Sequence, residues 1–142
     1  VSLGNAYSPT NSQNTIWFKE AFPLLYLPVS CSMRATDIIR GLVAMRILQN
    51  DKKKILFFGT TVYQKRNEHN LLKDFEDEIP VYLHTKKMVK ILSKLQLKKG
   101  KKLYSDNLLS CYKNLISHGI IDKKEYIYLN SWLKSFKKIY NY

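Results

Sequence analysis

The sequence predicts an α/β fold, with a small mixed sheet in the first two thirds of the chain and a helical region after it. Three observations support this prediction. The 142 residues are 45% hydrophobic, which is enough for one domain with a core. The run KKKILFFGT at 52–60 is apolar and ends at Gly59, as is typical of a buried strand. The last third repeats apolar residues at helical spacing.

The N-terminal part divides into a polar stretch and an aromatic stretch. Residues 1–15 contain Gly4 and Pro9 among Asn, Ser and Thr, and they predict a loop. The stretch TIWFKEAFPLLYLPV at 15–29 is apolar but has two prolines, which interrupt regular structure. It predicts short strands or a helical turn packed in the core.

A helix is predicted over 36–48, because Ile38, Leu42 and Met45 fall on one helical face. The polar stretch 61–78 follows the predicted strand and indicates a long loop with some helix. Long loops in compact domains are often functional.

Three further helices are predicted from apolar residues spaced three and four apart. They span 85–97, 105–119 and 122–140. Gly119 suits the position after a helix end, and Asp122 with Glu125 has the spacing of a capping box. The short break GII favours an antiparallel helix pair over a helix-turn-helix motif.

The chain is strongly basic, with 24 Lys and Arg against 11 Asp and Glu and a net charge of +13. This balance favours anionic partners such as nucleic acid, lipid or phosphorylated sugars. Most of the excess is lysine, and scattered lysines more often contact only solvent. The sequence has no RNA- or DNA-binding signature, so nucleic acid is not expected as a partner.

Cysteine usage, hydropathy and the first residue limit the kind of protein. Cys31 and Cys111 show no CxxC spacing; one disulfide is an option, and two free buried thiols are the expectation. The longest apolar run, 21–29, is too short to span a membrane, so no transmembrane segment or signal peptide is expected. The chain starts at Val1 rather than Met, which suggests a processed product or a piece of a larger protein.

Asp37 is the first candidate for chemistry, in the stretch CSMRATDIIRG at 31–41. An acid in a first helical turn commonly satisfies free backbone N–H groups and complements the helix dipole. The same position suits a general base that takes a proton from a hydroxyl nucleophile. Arg34 and Arg40 lie three residues to either side, where they either pair with Asp37 or hold an anionic group.

Two polar loops provide further candidates. SPTNSQNT at 8–15 is rich in amides and hydroxyls, which either hydrogen-bond sugar hydroxyls or stitch a turn. His69, beside Glu68, is either simply exposed or a metal ligand. The sequence contains no GxGxxG, P-loop, GxSxG, HExxH or DxD motif.

An ordered set of short motifs links the segments described so far. It comprises Asn11, Gln13, Thr15, Leu27, Pro28, Arg34, Asp37, Ile38, Arg40, Met45, Arg46, Thr61, Val62, Tyr63, Glu76, Asp77 and Glu78. The set lies within residues 7–95 and resembles the C-terminal region of the STELLO-like glycosyltransferases. More distantly, it resembles the sugar-nucleotide mutases of the reversibly glycosylated polypeptide type. Ile39 stands where the STELLO-like family usually has Trp, which leaves less aromatic surface for a sugar.

The resemblance implies a fold and a reaction. Residues 1–98 would be the distal, acceptor-side part of a GT-A-like glycosyltransferase domain with few strands, and 99–142 a mostly helical region packed on it. The reaction would transfer a sugar from a nucleotide sugar to a glycan or other hydroxyl acceptor, with Asp37 as the catalytic base or an acid that positions the acceptor. The implied substrate-binding residues are Arg34, Arg40, Asn11, Gln13 and Tyr63.

The resemblance also implies components outside this chain. The nucleotide-binding half and its acidic metal motif are expected upstream or in a separate subunit. A divalent metal, Mn²⁺ or Mg²⁺, would then be a cofactor of the complete enzyme. Eukaryotic members of the family suggest the Golgi lumen, and otherwise the location would be cytoplasmic.

Two other functions stay open. One is a basic, non-enzymatic module that binds nucleic acid or membrane phosphates, with an affinity that falls steeply as salt rises. The other is a catalytically incomplete partner domain, an interpretation that the missing DxD pair supports.

Overall fold

The computed structural model describes residues 1–140, and these residues are mainly helical. Within them four α-helices form the molecule, with two short 3-10 helices that precede α1 and α3. The α-helices are α1 (Thr36–Asn50), α2 (Leu71–Lys94), α3 (Tyr104–Ser117) and α4 (Glu125–Tyr140). The 3-10 helices span Lys19–Leu25 and Lys101–Leu103. The final two residues of the predicted region 99–142 lie outside the described residues.

The predicted α/β fold is wrong, because residues 1–140 form no sheet. Their one β pairing is an isolated antiparallel bridge between Ser2 and Leu56. The segment 52–60, predicted to be a buried strand, is extended and largely exposed, with Leu56 65% exposed. A strand is stable only when a neighbouring strand pairs with it. Within residues 1–140, the segment 52–60 has no pairing partner beyond the bridge to Ser2. The prediction of a GT-A-like domain with few strands is wrong for the same reason.

The predicted helices are confirmed, with one difference in extent. α1, α3 and α4 lie within a few residues of their predicted ranges. α2 begins well before the predicted 85–97, inside the stretch 61–78 that was predicted to be mostly loop. Its start is fixed by Asn70, whose side chain accepts hydrogen bonds from the N–H groups of Leu72 and Lys73.

The aromatic stretch 15–29 takes the helical alternative. Its 3-10 helix contains Pro23, and Leu24 and Tyr26 are buried in the core. The indole N–H of Trp132 in α4 donates to the Pro23 carbonyl at 3.1 Å. The 3-10 helix contacts α3 and α1, and this bond ties it to α4.

α3 ends at the predicted glycine. Gly119 has a φ of 69°, a conformation that glycine adopts without steric cost. Its N–H bonds to the Ile116 carbonyl at 2.9 Å, and the Ile120 N–H bonds to the Leu115 carbonyl at 3.0 Å. These two bonds satisfy carbonyls at the helix end and turn the chain towards α4.

The core is one cluster centred on α3, whose inner face contacts α1, α2 and α4. The α3 residues that are buried in it are Tyr104, Leu108, Cys111, Tyr112 and Leu115. The cluster includes residues on both sides of position 98, and the boundary between 1–98 and 99–142 stays a prediction. Cys31 and Cys111 are both free thiols, with Cys111 buried.

Glu125 enters the core instead of completing a capping box. Its side chain is fully buried, at 0% exposure, and accepts hydrogen bonds from the Tyr26 hydroxyl and from the N–H groups of Val29 and Ser30. The Asp122 side chain accepts from the Lys124 N–H at 2.8 Å, and the Glu125 N–H bonds to the Asp122 carbonyl. Glu125 thus ties the start of α4 to the segment before α1.

Candidate active site

The loop 8–15 crosses the outer face of α1. Gly41 makes the contact close, because a Cβ there would lie 2.0 Å from the Thr10 hydroxyl oxygen. One turn further on, the Ser8 N–H points at the Met45 sulfur at 3.4 Å. The loop therefore depends on a helix residue without a side chain, and it lies over the turn that carries Asp37.

Asp37 is held by this loop. Its carboxylate oxygen Oδ2 accepts a hydrogen bond from the Ser12 N–H at 3.0 Å, and the side chain is half-buried. The Ser12 hydroxyl in turn accepts from Arg40 Nη2 at 3.0 Å. Ser12 thus links Asp37 to Arg40. The other carboxylate oxygen, Oδ1, accepts no hydrogen bond from residues 1–140, which leaves it available to a ligand.

Arg40 is buried, with only 5% of its surface exposed. Its guanidinium lies 5.2 Å from the centre of the Trp17 ring, a cation–π contact. Burial lowers the pKa of Arg40, and the charge of Asp37 partly offsets this effect. Within residues 1–140 its Nε has no hydrogen-bond partner. Arg40 is placed to fix the loop rather than to bind a ligand from solvent.

Arg34 points away from Asp37. Its Nη2 lies 2.5 Å from a carboxylate oxygen of Asp74, in the first turn of α2. The other Asp74 oxygen lies 2.5 Å from Nδ1 of His69. The predicted grouping of Arg34 with Asp37 and Arg40 is therefore not what the structure shows. Arg34, Asp74 and His69 instead form a second cluster that ties the entry of α2 to that of α1.

His69 was a candidate metal ligand, and its surroundings do not fit that role. Its Nδ1 is directed at Asp74, with Arg34 on the same carboxylate. In the part of the chain that the structure describes, no three His, Cys, Asp or Glu side chains are grouped so as to hold a metal ion. No catalytic step through a metal can be derived from these residues.

The remaining predicted substrate-binding residues lie on the surface. Asn11 and Gln13 are exposed on the loop that caps Asp37, and Tyr63 is 92% exposed. A bond that the sequence does not predict joins the two segments, because the Asn14 amide donates to the Thr61 hydroxyl at 3.0 Å. The structure thus brings the loop and the Tyr63 segment to one side of α1.

A cavity of about 180 Å³ lies between α1, α2 and the turn after α3. Its lining includes Cys31, His84 and Asp122, three residue types that could serve nucleophilic catalysis. Burial, with a contribution from the Glu125 charge, raises the pKa of the Cys31 thiol to about 11. The cavity therefore does not lower the pKa of this thiol, as an activated cysteine nucleophile requires.

Three residues of these clusters were missed at the level of sequence: Ser12, Trp17 and Asp74. Ser12 and Trp17 meet Arg40 across 28 and 23 positions of chain, and Asp74 meets Arg34 across 40. No local spacing predicts such contacts. The only sequence signal is the high content of polar residues in 8–15. It indicates either a functional loop or a turn held by its own hydrogen bonds, and it does not distinguish Ser12 from its neighbours.

The family profile of the STELLO glycosyltransferases matches residues 34–141, which include Asp37 and Arg40. The chain therefore belongs to the STELLO glycosyltransferases. It is also similar to the Probable glycosyltransferase STELLO2 of Arabidopsis thaliana, with 27% identity over 126 residues.

That alignment covers 89% of this chain and 16% of the relative, so the chain spans about a sixth of the relative's length. No solved structure matches the chain. None of the helices within residues 1–140 has an apolar stretch of the length that a bilayer crossing requires.

Proposed function

We propose that this chain is the acceptor-side portion of a glycosyltransferase that moves a sugar from a nucleotide sugar to a hydroxyl acceptor. The observation that supports it most is Asp37, an acid with one oxygen fixed by Ser12 and the other available, within the region that matches the family. A fixed carboxylate next to a polar loop has the properties of a general base.

The proposed step uses Asp37 Oδ1 as the base. The carboxylate takes the proton of the acceptor hydroxyl as the hydroxyl oxygen attacks the anomeric carbon of the donor. The new carbon–oxygen bond forms while the bond to the nucleoside diphosphate breaks, and the diphosphate leaves with the electron pair. Arg40 holds Ser12, and through it the orientation of Asp37.

The surface residues near Asp37 would bind the substrates. Asn11 and Gln13 extend from the capping loop, and their amides both donate and accept hydrogen bonds, as sugar hydroxyls require. Tyr63 offers an exposed ring on the neighbouring segment. Arg34 lies in the neighbouring cluster with Asp74 rather than beside Asp37, and its partly exposed guanidinium would contact the leaving diphosphate.

The donor nucleotide and the divalent metal would be bound by a separate nucleotide-binding portion. We propose that this portion packs on an outer stripe of α2, formed by six exposed apolar residues. They are Leu71, Leu72, Phe75, Ile79, Tyr82 and Leu83. At about 100° per residue they fall within an arc of roughly 120°, on the side of α2 away from the core. Exposed apolar surface of this kind marks interaction sites.

A second candidate is the catalytically incomplete partner domain. It is supported by the same outer stripe, which a partner domain needs whether or not Asp37 is active. The two candidates differ in Asp37 alone, because a partner domain has no use for a base.

The test is the substitution Asp37→Asn in the complete enzyme that contains this region. Loss of a general base is expected to lower kcat by about 100-fold to 10,000-fold while the melting temperature stays nearly unchanged. Asp106→Asn is the matched control, because Asp106 also lies in the first turn of a helix, α3, and is exposed. Full activity of Asp37→Asn would favour the partner domain.

A further inference from the structure

Seven lysines from two distant parts of the sequence lie on one surface. They are Lys52, Lys53, Lys54, Lys98, Lys99, Lys101 and Lys102, and all are exposed. We call them the lysine surface. In the sequence they form two separate runs, one directly after α1 and the other before α3.

Asp51 and Asn50, at the end of α1, bring the two runs together. The Asp51 carboxylate accepts from the Gly100 N–H and from the Tyr104 hydroxyl, each at 2.9 Å. The Asn50 amide donates to the carbonyls of Leu97 and Lys98, at 3.3 and 3.0 Å. The loop before α3 is thus fixed directly against the residues that precede Lys52.

The lysine surface keeps most of its positive charge. None of the seven ammonium groups forms an ion pair with residues 1–140. The acids close to it are Asp51, Asp106 in the first turn of α3, and Glu20, which interacts electrostatically with Tyr104. Seven positive charges against three negative charges leave a strongly cationic face.

Exposed apolar side chains adjoin these lysines. Leu56 and Phe58 are 65% and 61% exposed. Their neighbours Ile55 and Phe57 are half-buried. In an extended segment alternate side chains share a face, so Lys54, Leu56 and Phe58 point outwards together. Cationic and apolar groups side by side fit the interface of a bilayer, where lysines meet headgroups and apolar groups enter the acyl boundary.

From this juxtaposition we infer that the lysine surface binds an anionic phospholipid membrane, with Leu56 and Phe58 at the headgroup boundary. Nucleic acid is the less suitable partner, because the surface has no Arg for bidentate phosphate contacts and no row of aromatic rings for bases. The inference does not depend on glycosyl transfer or on Asp37.

The test is co-sedimentation of the purified chain with vesicles of phosphatidylcholine, with or without about one third phosphatidylserine. The patch variant combines Lys54→Gln, Lys99→Gln and Lys102→Gln. The matched control combines Lys86→Gln, Lys123→Gln and Lys124→Gln, which remove the same charge towards the opposite end of α3. All six lysines are exposed. Circular dichroism verifies that both variants remain folded.

The chain is expected to bind the phosphatidylserine vesicles and not pure phosphatidylcholine. The patch variant should bind at least about tenfold more weakly than the control, since each lysine near an anionic surface contributes roughly fivefold. Phe58→Ser should weaken binding with no change in charge. Equal binding by the patch and control variants overturns the inference. Retention of single-stranded DNA without vesicle binding also overturns it, in favour of a nucleic-acid surface.

Discussion

Glu125 is the common acceptor of a buried hydrogen-bond network that joins the start of α4 to the segment before α1. Burial, together with the hydrogen bond to Glu125, raises the pKa of Tyr26 well above its usual range. Two backbone N–H groups complete the set of donors, from Val29 and Ser30. A buried carboxylate is costly to desolvate, and these three donors compensate for that cost.

Glu125→Ala should therefore destabilise the chain strongly. The substitution leaves the Tyr26 hydroxyl and two N–H groups without an acceptor, and loss of one side of such a network costs about 3–5 kcal/mol. Chemical denaturation measures the free energy of unfolding. Glu76→Ala, on the exposed side of α2, is the control and should leave stability unchanged. Equal effects of both substitutions would show that Glu125 is not a structural anchor.

Cys31 makes stability depend on alkaline pH. Burial raises its pKa from 9.0 to about 11, so the fold favours the neutral thiol. The resulting stabilisation is complete below pH 9.0 and is lost as the pH rises through about 11. Thermal unfolding over this range should therefore show a shallower decline for Cys31→Ser, which does not titrate, than for the unsubstituted chain. If the stability of both chains fell equally as the pH rises, Cys31 would not be the source of the pH dependence.

At the scale of residues, spacing along the chain does not predict which partner a charged side chain contacts. Asp37 and Arg40 are three apart on one helix, and the structure does join them, although through Ser12 rather than directly. Arg34 has the same spacing and turns to Asp74 instead. Local spacing cannot distinguish these outcomes, because each depends on which distant segment packs against the helix.

At the scale of elements, α2 has two apolar faces. Its inner face buries Val81, Met88 and Leu92 against α1 and α3. Its outer stripe remains exposed, with Leu72 81% exposed. Glu76 and Glu78 lie at the two margins of the stripe and keep it polar at the edges.

Substitutions on the two faces should differ sharply. Leu92→Ala removes a fully buried side chain and is expected to cost about 2–5 kcal/mol. The double substitution Leu72→Ser and Phe75→Ser should leave the unfolding free energy of this chain nearly unchanged, because these side chains contact mainly solvent. Denaturant titration of both variants measures the difference. A large loss of stability from the stripe variant would mean that the stripe is packed within this chain.

The elements also show what periodicity can and cannot predict. α3 follows its apolar pattern and its terminal glycine closely. The segment 52–60 has the composition of a strand, but strand formation depends on a partner that composition does not reveal. The start of α2 is not predicted because four of the five residues at 74–78 are acidic, which makes its first turns polar in the sequence; the pairing of Asp74 with Arg34 is visible only in the fold.

At the scale of the whole molecule, one core joins all four helices, and its two unusual surfaces lie apart from it. The Asp37 loop occupies one side of α1, whereas the lysine surface lies beyond the end of that helix. Lysine substitutions in the lysine surface therefore leave the contacts of the Asp37 loop unchanged.

We propose that this region supplies the acceptor site and the base of glycosyl transfer, while a separate portion binds the donor nucleotide. The most direct measurement is calorimetric binding of the nucleotide sugar to the complete enzyme, with and without Asp37→Asn, alongside the rate of transfer. We expect an unchanged Kd for the donor and a transfer rate lowered by about 100-fold or more. If Asp37→Asn instead weakened donor binding and left the transfer rate per bound donor unchanged, Asp37 would not be the base, and the donor site would lie in this chain.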